Sequence, residues 1–187
     1  MKKKGDIKRN TFSKNYRGQV WIETVIYLLI AFVMMGLVLS YVKPKIEDLR
    51  DKAIIEQSLD VINEIDNTIS TIGSTGNKRL IEIGVKKGVF NIDSENDMIT
   101  FELETKYQYS EFGKEVYIGK VKAITQGQNQ YSKVILTRDF SEEYNLIYDS
   151  SDTNKALPKA STPYRVFIEN KGVGVDQDKL IINFNIE

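Results

Sequence analysis

The stretch "RGQVWIETVIYLLIAFVMMGLVLSYV", residues 17–42, decides the fold class of this chain. Between Thr24 and Val42 it has 19 residues without a charged side chain. A helix of that length rises about 28 Å, close to the hydrocarbon thickness of a bilayer, about 30 Å. Trp21 and Tyr41 lie where aromatic side chains favour membrane interfaces. The stretch therefore predicts a transmembrane helix, with a buried core helix as the alternative.

The charge distribution orients this helix. Residues 1–18 hold seven of the 26 basic residues and one of the 26 acidic residues, which leaves a net charge of −6 on the remainder. A basic tail beside a span favours a cytoplasmic N-terminus with the rest of the chain outside. Such a tail could also bind nucleic acid, but the acidic remainder argues against a nucleic-acid surface. We expect a membrane as a partner and no nucleic acid.

The composition argues against an enzyme. The chain has no cysteine and no histidine, which excludes disulfides, thiol nucleophiles and the commonest general base. No phosphate-binding loop, dinucleotide motif or serine-nucleophile motif is present. The acidic run Asp93–Asp97 lacks the spacing of a calcium loop, so we interpret it as a turn, and Asp176 and Asp178 likewise. We expect no catalytic residue, metal, cofactor or small-molecule substrate.

The residues before the apolar run resemble a processing site. The segment "KNYRGQVWIE", residues 14–23, is similar to the cleavage region of type IV pilin-like proteins, particularly those with archaeal class III signal peptides. The resemblance implies that a prepilin peptidase cuts on the cytoplasmic side of the span, and that the span stays on the mature protein. Arg17, Gly18 and Gln19 would form the processing site, with cleavage after Gly18. Glu23 would become the acidic fifth residue of the mature chain.

The archaeal pattern Q-x-S-x-E-x-x-x-L is matched in part. Gln19 and Glu23 agree with it, whereas Trp21 stands in place of its Ser and Tyr27 in place of its Leu. The resemblance covers about residues 14–72.

Glu23 is the one carboxylate inside the apolar segment, and its position there requires an explanation. A charged side chain within hydrocarbon costs about 2.5–3.5 kcal/mol on insertion scales. Cleavage after Gly18 would create an α-amino group with an ordinary pKa of about 7.7–8.0. A neighbouring helix shifted along the axis could bring that amine to Glu23, so we assign Glu23 a role in assembly. The alternative is a side chain that snorkels to the headgroups.

An amphipathic helix is predicted to follow over residues 44–72. Pro44 is expected to kink or briefly interrupt it, and "GSTGN" at residues 73–77 to end it. Its spacing predicts one apolar stripe that packs on the following domain, with a coiled coil as the alternative. The stripe comprises Ile46, Leu49, Ala53, Ile55, Leu59, Ile62, Ile65, Ile69 and Ile72.

Residues 78–187 are predicted to form a strand-rich head. Eight short runs alternate between apolar and polar residues, and turn signals such as Asn170–Gly174 separate them. This pattern favours an antiparallel sheet or a small β-sandwich. Seven tyrosines could form an adhesive face, although tyrosine is also an ordinary strand residue. They are Tyr107, Tyr109, Tyr117, Tyr131, Tyr144, Tyr148 and Tyr164.

The sequence thus predicts an α+β chain with a leader at residues 1–18, a transmembrane helix at 19–43, an amphipathic helix at 44–72 and a β-rich head at 78–187. The resemblance implies a structural subunit of a type IV pilus-like surface filament. Its partners would be other pilins, the prepilin peptidase and an assembly platform with its ATPase. A minor pilin, an uncleaved signal-anchored surface protein with a β-rich binding domain, and an anchored enzyme are the alternatives. The composition and the Gln19 and Glu23 pattern suggest an archaeal source.

Overall fold

The computed structural model describes residues 16–128, 131–174 and 178–187, with side chains from Trp21 onward and without that of Gln128. A helix, α1, covers Tyr16–Ser70. The chain divides into two compact units between Lys45 and Ile46. The first unit is helical throughout its described residues, and the second holds the rest of α1 and all the strands.

The first unit exposes its apolar side chains. From Trp21 to Lys45 every residue is exposed except Val25, which is half-buried. The helix does not end at Pro44, which lies inside α1. The expected interruption is therefore wrong, because loss of the single backbone donor at Pro44 leaves the remaining hydrogen bonds of a 55-residue helix in place.

Ten strands form two sheets in the second unit. Their bounds are β1 Lys78–Ile83, β2 Val89–Asp93, β3 Met98–Thr105, β4 Glu115–Ile118, β5 Val121–Gln128, β6 Tyr131–Asp139, β7 Tyr144–Tyr148, β8 Lys155–Pro158, β9 Tyr164–Val173 and β10 Leu180–Ile186. A four-stranded sheet has the order β1-β9-β10-β7, and a six-stranded sheet has the order β4-β5-β6-β3-β2-β8. Together with α1 they confirm the predicted α+β fold class.

Alternation along the strands places one face of each sheet in the core. β6 alternates buried and half-buried residues over Ser132–Arg138, and β3 does the same over Met98–Leu103. Successive side chains of a strand point to opposite faces, so this pattern buries one face and leaves the other in contact with solvent. Buried residues of both sheets and of α1 form one hydrophobic cluster.

The sheets depart from the sequence-based expectation in three places. β10 and β7 pair in parallel, with Leu180 opposite Tyr144. The run Asn170–Gly174 is not a turn: β9 continues to Val173, with a register shift against Ile181 and Ile182. β5 and β8 were not predicted as separate strands.

The buried row of α1 differs in phase from the predicted stripe. Buried residues recur at alternating spacings of four and three, and within α1 they are Asp51, Ile55, Ser58, Ile62, Ile65 and Ile69. Ile72, two residues beyond the end of α1, continues the spacing and is also buried. The prediction holds from Ile55 onward, with Leu59 half-buried. It is wrong for Ile46, Leu49 and Ala53, which are exposed. Asp51 and Ser58 take core-facing positions instead. Asp51 lies four residues before buried Ile55 and Ser58 lies three residues after it, so all three are on the same face of the helix.

The C-terminal end of α1 is tied to β9. The Asn77 side chain donates to the Ile72 carbonyl at 2.9 Å, and buried Asn170 donates to the Gly73 carbonyl at 2.6 Å. Gly73 has a φ of 78°, the left-handed conformation that commonly ends a helix. These bonds hold the turn that follows α1, and the bond from Asn170 fixes that turn to β9.

Candidate membrane and assembly segment

The helix over residues 21–42 carries the surface that any membrane or assembly role must use. Its exposed apolar side chains include Leu28, Phe32, Met35 and Leu39. By length and composition this helix could cross a membrane, and the described part of the chain buries none of its most apolar 18-residue window. Contiguous exposed apolar surface of this extent marks a site that lipid or another protein covers.

Glu23 has a partner within the same helix. The Tyr27 hydroxyl donates to Glu23 Oε1 at 3.1 Å, and both side chains are exposed. Residues four apart lie on the same face of a helix, one turn above the other, so the sequence spacing already allows this contact. Sequence reasoning missed it because Tyr27 was considered only as a mismatch in the processing pattern.

The predicted processing residues lie within α1. Arg17, Gly18 and Gln19 fall inside the bounds Tyr16–Ser70, but their side chains lie outside the described residues. The rest of the leader, residues 1–15, also lies outside them.

Asp51 anchors the N-terminal end of the buried helix row. Lys87 Nζ donates to both of its carboxylate oxygens, at 2.6 and 2.7 Å, and Thr105 Oγ1 donates to Oδ2 at 2.5 Å. Thr105 Oγ1 in turn accepts from the Tyr107 backbone N–H at 2.8 Å. Three hydrogen bonds from two donor groups compensate this buried carboxylate for its desolvation, and so Asp51 can occupy a core-facing position.

A second polar cluster lies near the other end of the row. Arg138 Nε donates to Asp66 Oδ1 at 2.8 Å, and Nη2 forms an ion pair with the same oxygen at 2.7 Å. Nη2 also donates to Glu143 Oε1 at 2.9 Å. The guanidinium stacks on the Phe140 ring at 4.2 Å and also donates to the Asp139 carbonyl. The hydrogen bond from Arg138 holds the pKa of Glu143 below its ordinary value.

These two clusters set the direction of the helix along the sheet. Asp51 meets Thr105 at the end of β3, and Asp66 meets Arg138, which pairs with Ile99 near the start of β3. Residues 51–66 of α1 therefore run antiparallel to β3. A signal for the Arg138 contact was present in the sequence, since Val134, Leu136 and Arg138 share the inward phase of β6. A charged residue in that phase requires a buried partner.

The acidic turn behaves as the sequence predicts for a turn. Asp93 accepts from the backbone and side chain of Asn96, at 3.1 and 2.9 Å. Asp97 accepts from the Leu146 N–H at 2.7 Å, and its burial raises its pKa. Among the described residues no group of three or more carboxylates is placed to hold a metal ion. Asp176 lies outside the described residues, and Asp178 is exposed.

The tyrosines do not form one exposed face. Tyr107, Tyr109, Tyr144, Tyr148 and Tyr164 pack partly buried against the core. Only Tyr117 and Tyr131 of the seven are exposed. Five of the seven tyrosines that could have formed an adhesive face therefore pack against the core instead.

Comparison of the chain with protein-family models, with curated proteins and with solved structures finds no match.

Proposed function

We propose that this chain is a pilin-like structural subunit of a type IV pilus-like surface filament. The observation that carries the proposal is the exposed apolar helix over residues 21–42, which is continuous with a helix row buried in a β-rich head. One half of α1 is not covered by any of the described residues, while the other half is part of a core. A polymer whose axis is a bundle of such helices would cover the first half.

Processing would precede assembly in this proposal. A prepilin peptidase cuts after Gly18, with Arg17 and Gln19 on either side, and leaves Gln19 as the new N-terminus. An assembly platform with a cytoplasmic ATPase then extracts the subunit from the membrane. The chain itself contributes packing surface and no catalytic group.

Glu23 would guide assembly by its need for a cation. In an isolated subunit Tyr27 supplies one hydrogen bond to it, which compensates a carboxylate only in part. The new α-amino group of a neighbouring, axially shifted subunit would add a charge-assisted hydrogen bond. Assembly would then exchange a costly lone charge for a pair.

The test is the intact mass and N-terminal peptide of the protein isolated from its native membranes, together with electron microscopy of sheared surface material. A chain that starts at Gln19, found in filaments, supports the proposal. A chain that still starts at Met1, with no filaments, contradicts it.

The second candidate function is a signal-anchored surface protein whose β-rich head binds a ligand without polymerising. The Tyr27 contact favours this candidate, because it gives Glu23 a partner without any second chain. The same mass measurement separates the two candidates, since an anchor of this kind keeps its leader.

A further inference from the structure

The first part of α1 within the second unit buries a single side chain. Of residues 46–53, only Asp51 is buried and only Asp48 is half-buried, while the other six are exposed. The apolar contacts of α1 begin directly afterwards, with half-buried Ile54 and fully buried Ile55. We call residues 46–53 the strap. The strap is therefore attached to the sheets through Asp51 and not through apolar packing.

The β-rich head supplies both partners of Asp51. Lys87 Nζ lies 2.6 and 2.7 Å from its two carboxylate oxygens, and Thr105 Oγ1 lies 2.5 Å from Oδ2. Thr105 Oγ1 accepts the Tyr107 backbone N–H, so its own proton is directed to Asp51. We call Asp51, Lys87 and Thr105 the clasp.

The head side of the clasp is fixed in place. Lys87 precedes Gly88, which has a φ of 85°, and a side chain at Gly88 would collide with the Glu102 carbonyl oxygen. Only glycine allows this conformation and this close approach, which hold the loop before β2 against β3. Thr105 is the last residue of β3. Both partners of Asp51 thus belong to one rigid part of the head.

Opening of the clasp exposes no buried apolar side chain. Water replaces the hydrogen bonds that Asp51 and Lys87 give up, and the Lys87 side chain is already 43% exposed. Detachment of Ile55 would instead expose apolar surface from the core, for which water does not compensate. The free energy of detachment is therefore small for residues 46–53 and large from Ile54 onward.

We infer that the clasp is a releasable joint, which lets the strap detach from the head as one segment while the core from Ile55 onward stays intact. A pull along α1 from residue 45 reaches Asp51 before it reaches any buried apolar side chain of the helix. Hydrogen bonds weaken steeply when their geometry is disturbed, so the clasp opens after a small displacement. Release frees eight residues of α1, about 12 Å of helix, ahead of the core.

The joint does not depend on which of the two candidate functions is right. A filament would hold the apolar helix among its neighbours, and an anchored protein would hold it in lipid. In both cases a force on the head is transmitted to that helix through the strap. The released strap takes up about 12 Å of movement before the sheets are disturbed.

Distance measurements by pulsed electron paramagnetic resonance on the full chain in detergent test the joint. The chain has no cysteine, so spin labels attach only to introduced ones. Leu49→Cys with Tyr117→Cys places one label on the strap and one on β4, at exposed positions outside the clasp. We expect a single narrow distance distribution. Lys87→Met in the same chain should broaden it, with a rise of at least about tenfold in the ratio of released to clasped strap.

Lys52→Met is the matched control on the strap itself. Lys52 forms an ion pair with Glu56 at 3.6 Å, and both side chains are exposed. Exposed pairs contribute little, so the distribution from Leu49→Cys with Tyr117→Cys should stay narrow. Broadening equal to that of Lys87→Met would show that the strap moves independently of the clasp and would overturn the inference.

A second label position tests where detachment stops. Asp60→Cys with Tyr117→Cys places the helix label beyond Ile55, where the core holds α1, so this distribution should stay narrow in Lys87→Met. A broadened Asp60 distribution would mean that the whole helix leaves the sheets. An unchanged Leu49 distribution would mean that the clasp does not hold the strap. Either result overturns the inference.

Two further variants separate the ion pair from a general loss of folding. Asp51→Ala opens the clasp from the helix side and should broaden the Leu49 distribution as Lys87→Met does. Lys87→Arg keeps the charge and its donors, so it should keep the distribution narrow. Circular dichroism of each variant checks that the head is folded. A narrow distribution in Asp51→Ala, or a broad one in Lys87→Arg, would contradict the ion pair as the contact that closes the joint.

Discussion

Arg138 is the buried cation of the head, with a side chain only 5% exposed. Arg138→Met would leave Asp66 and Glu143 without their main partner. We expect a loss of about 3 kcal/mol in the free energy of unfolding, the low end for a broken buried pair, because Asp66 is 21% exposed and Lys120 lies 3.8 Å away. Urea unfolding of the full chain in detergent, followed by circular dichroism, measures it.

Arg165→Met is the matched control for Arg138→Met. Arg165 pairs with Glu187 at 2.6 Å, but both side chains are more than half exposed. Exposed pairs contribute at most about 1 kcal/mol. Equal losses from the two substitutions would show that the buried cluster adds no more stability than an exposed ion pair.

Ionisation of Asp97 should lower the free energy of unfolding, which is opposite to the usual effect of a carboxylate in a folded protein. Burial, the largest cause, raises its pKa above 3.8, so its ionised form is less favourable in the folded chain than in the unfolded chain. That cost is absent below pH 3.8 and complete above the folded pKa. Asp97→Asn, which keeps the oxygen that accepts from Leu146 N–H, should therefore be more stable than the unsubstituted chain at pH 7. The difference should shrink as the pH falls towards 3.8.

Asp139→Asn is the control, and we expect it to change the free energy of unfolding in the opposite direction. Hydrogen bonds from the side chain and backbone of Ser141 lower the Asp139 pKa below 3.8, so its ionised form stabilises the fold. That stabilisation is present above 3.8 and is lost as the pH falls through the folded pKa. Asp139→Asn should be less stable at pH 7. The same sign for both variants in thermal unfolding would contradict the assignment.

At the scale of elements, α1 has two apolar rows, and only one of them belongs to the core. Ile62→Ala should lower the free energy of unfolding by about 2–5 kcal/mol, because Ile62 is fully buried. Leu49→Ala, on the exposed side of the helix, should change it by no more than about 0.5 kcal/mol. Denaturant unfolding of both variants decides which row packs on the sheets, and a large loss from Leu49→Ala would contradict the observed phase.

The phase of this helix could not be predicted from its own residues. A row that includes Asp51 and Ser58 looks less apolar than one that includes Leu49 and Ala53. Two residues far along the chain determine which row is buried: Lys87 forms an ion pair with Asp51, and Thr105 donates a hydrogen bond to it. Local spacing predicts that a helix is amphipathic, but distant donors decide which polar residues it can bury.

The strands were predictable to the extent that their residues alternate. β3 and β6 have clear alternation and were predicted. β5 was merged with β4, because only Gly119 and Lys120 separate them. β8 has four residues and ends in Pro158, so propensity alone gives no signal for it. Gly172 suggested a turn, whereas its φ of 83° belongs to the irregularity within β9.

At the scale of the whole molecule, Glu23 is where the two candidate functions differ. Glu23→Gln keeps the acceptor for the Tyr27 hydroxyl and removes the charge, so membrane insertion should be intact. If the filament proposal is right, filaments should fall at least about tenfold, since a loss of about 1.4 kcal/mol in subunit affinity has that effect. Counting filaments against total membrane-inserted protein measures it.

Tyr27→Phe is the companion to Glu23→Gln. It removes the intrahelical donor, which assembly through a neighbour's α-amino group does not require. Filaments should therefore persist in Tyr27→Phe. Undiminished filaments in Glu23→Gln would contradict an assembly role for the carboxylate.

The strand order has a consequence for the time at which the head can fold. All strands of the six-stranded sheet have been synthesised once the chain reaches Pro158. β1 and β7 have partners only in β9 and β10, so β1 waits through some eighty residues of synthesis for Tyr164–Val173. Contacts between residues so distant in sequence form slowly, because the chain loses the entropy of loop closure before the stabilising contacts are made. A nascent chain interrupted before residue 164 would leave Ile81 and Ile83 uncovered, a mark by which chaperones and proteases recognise an unfinished product.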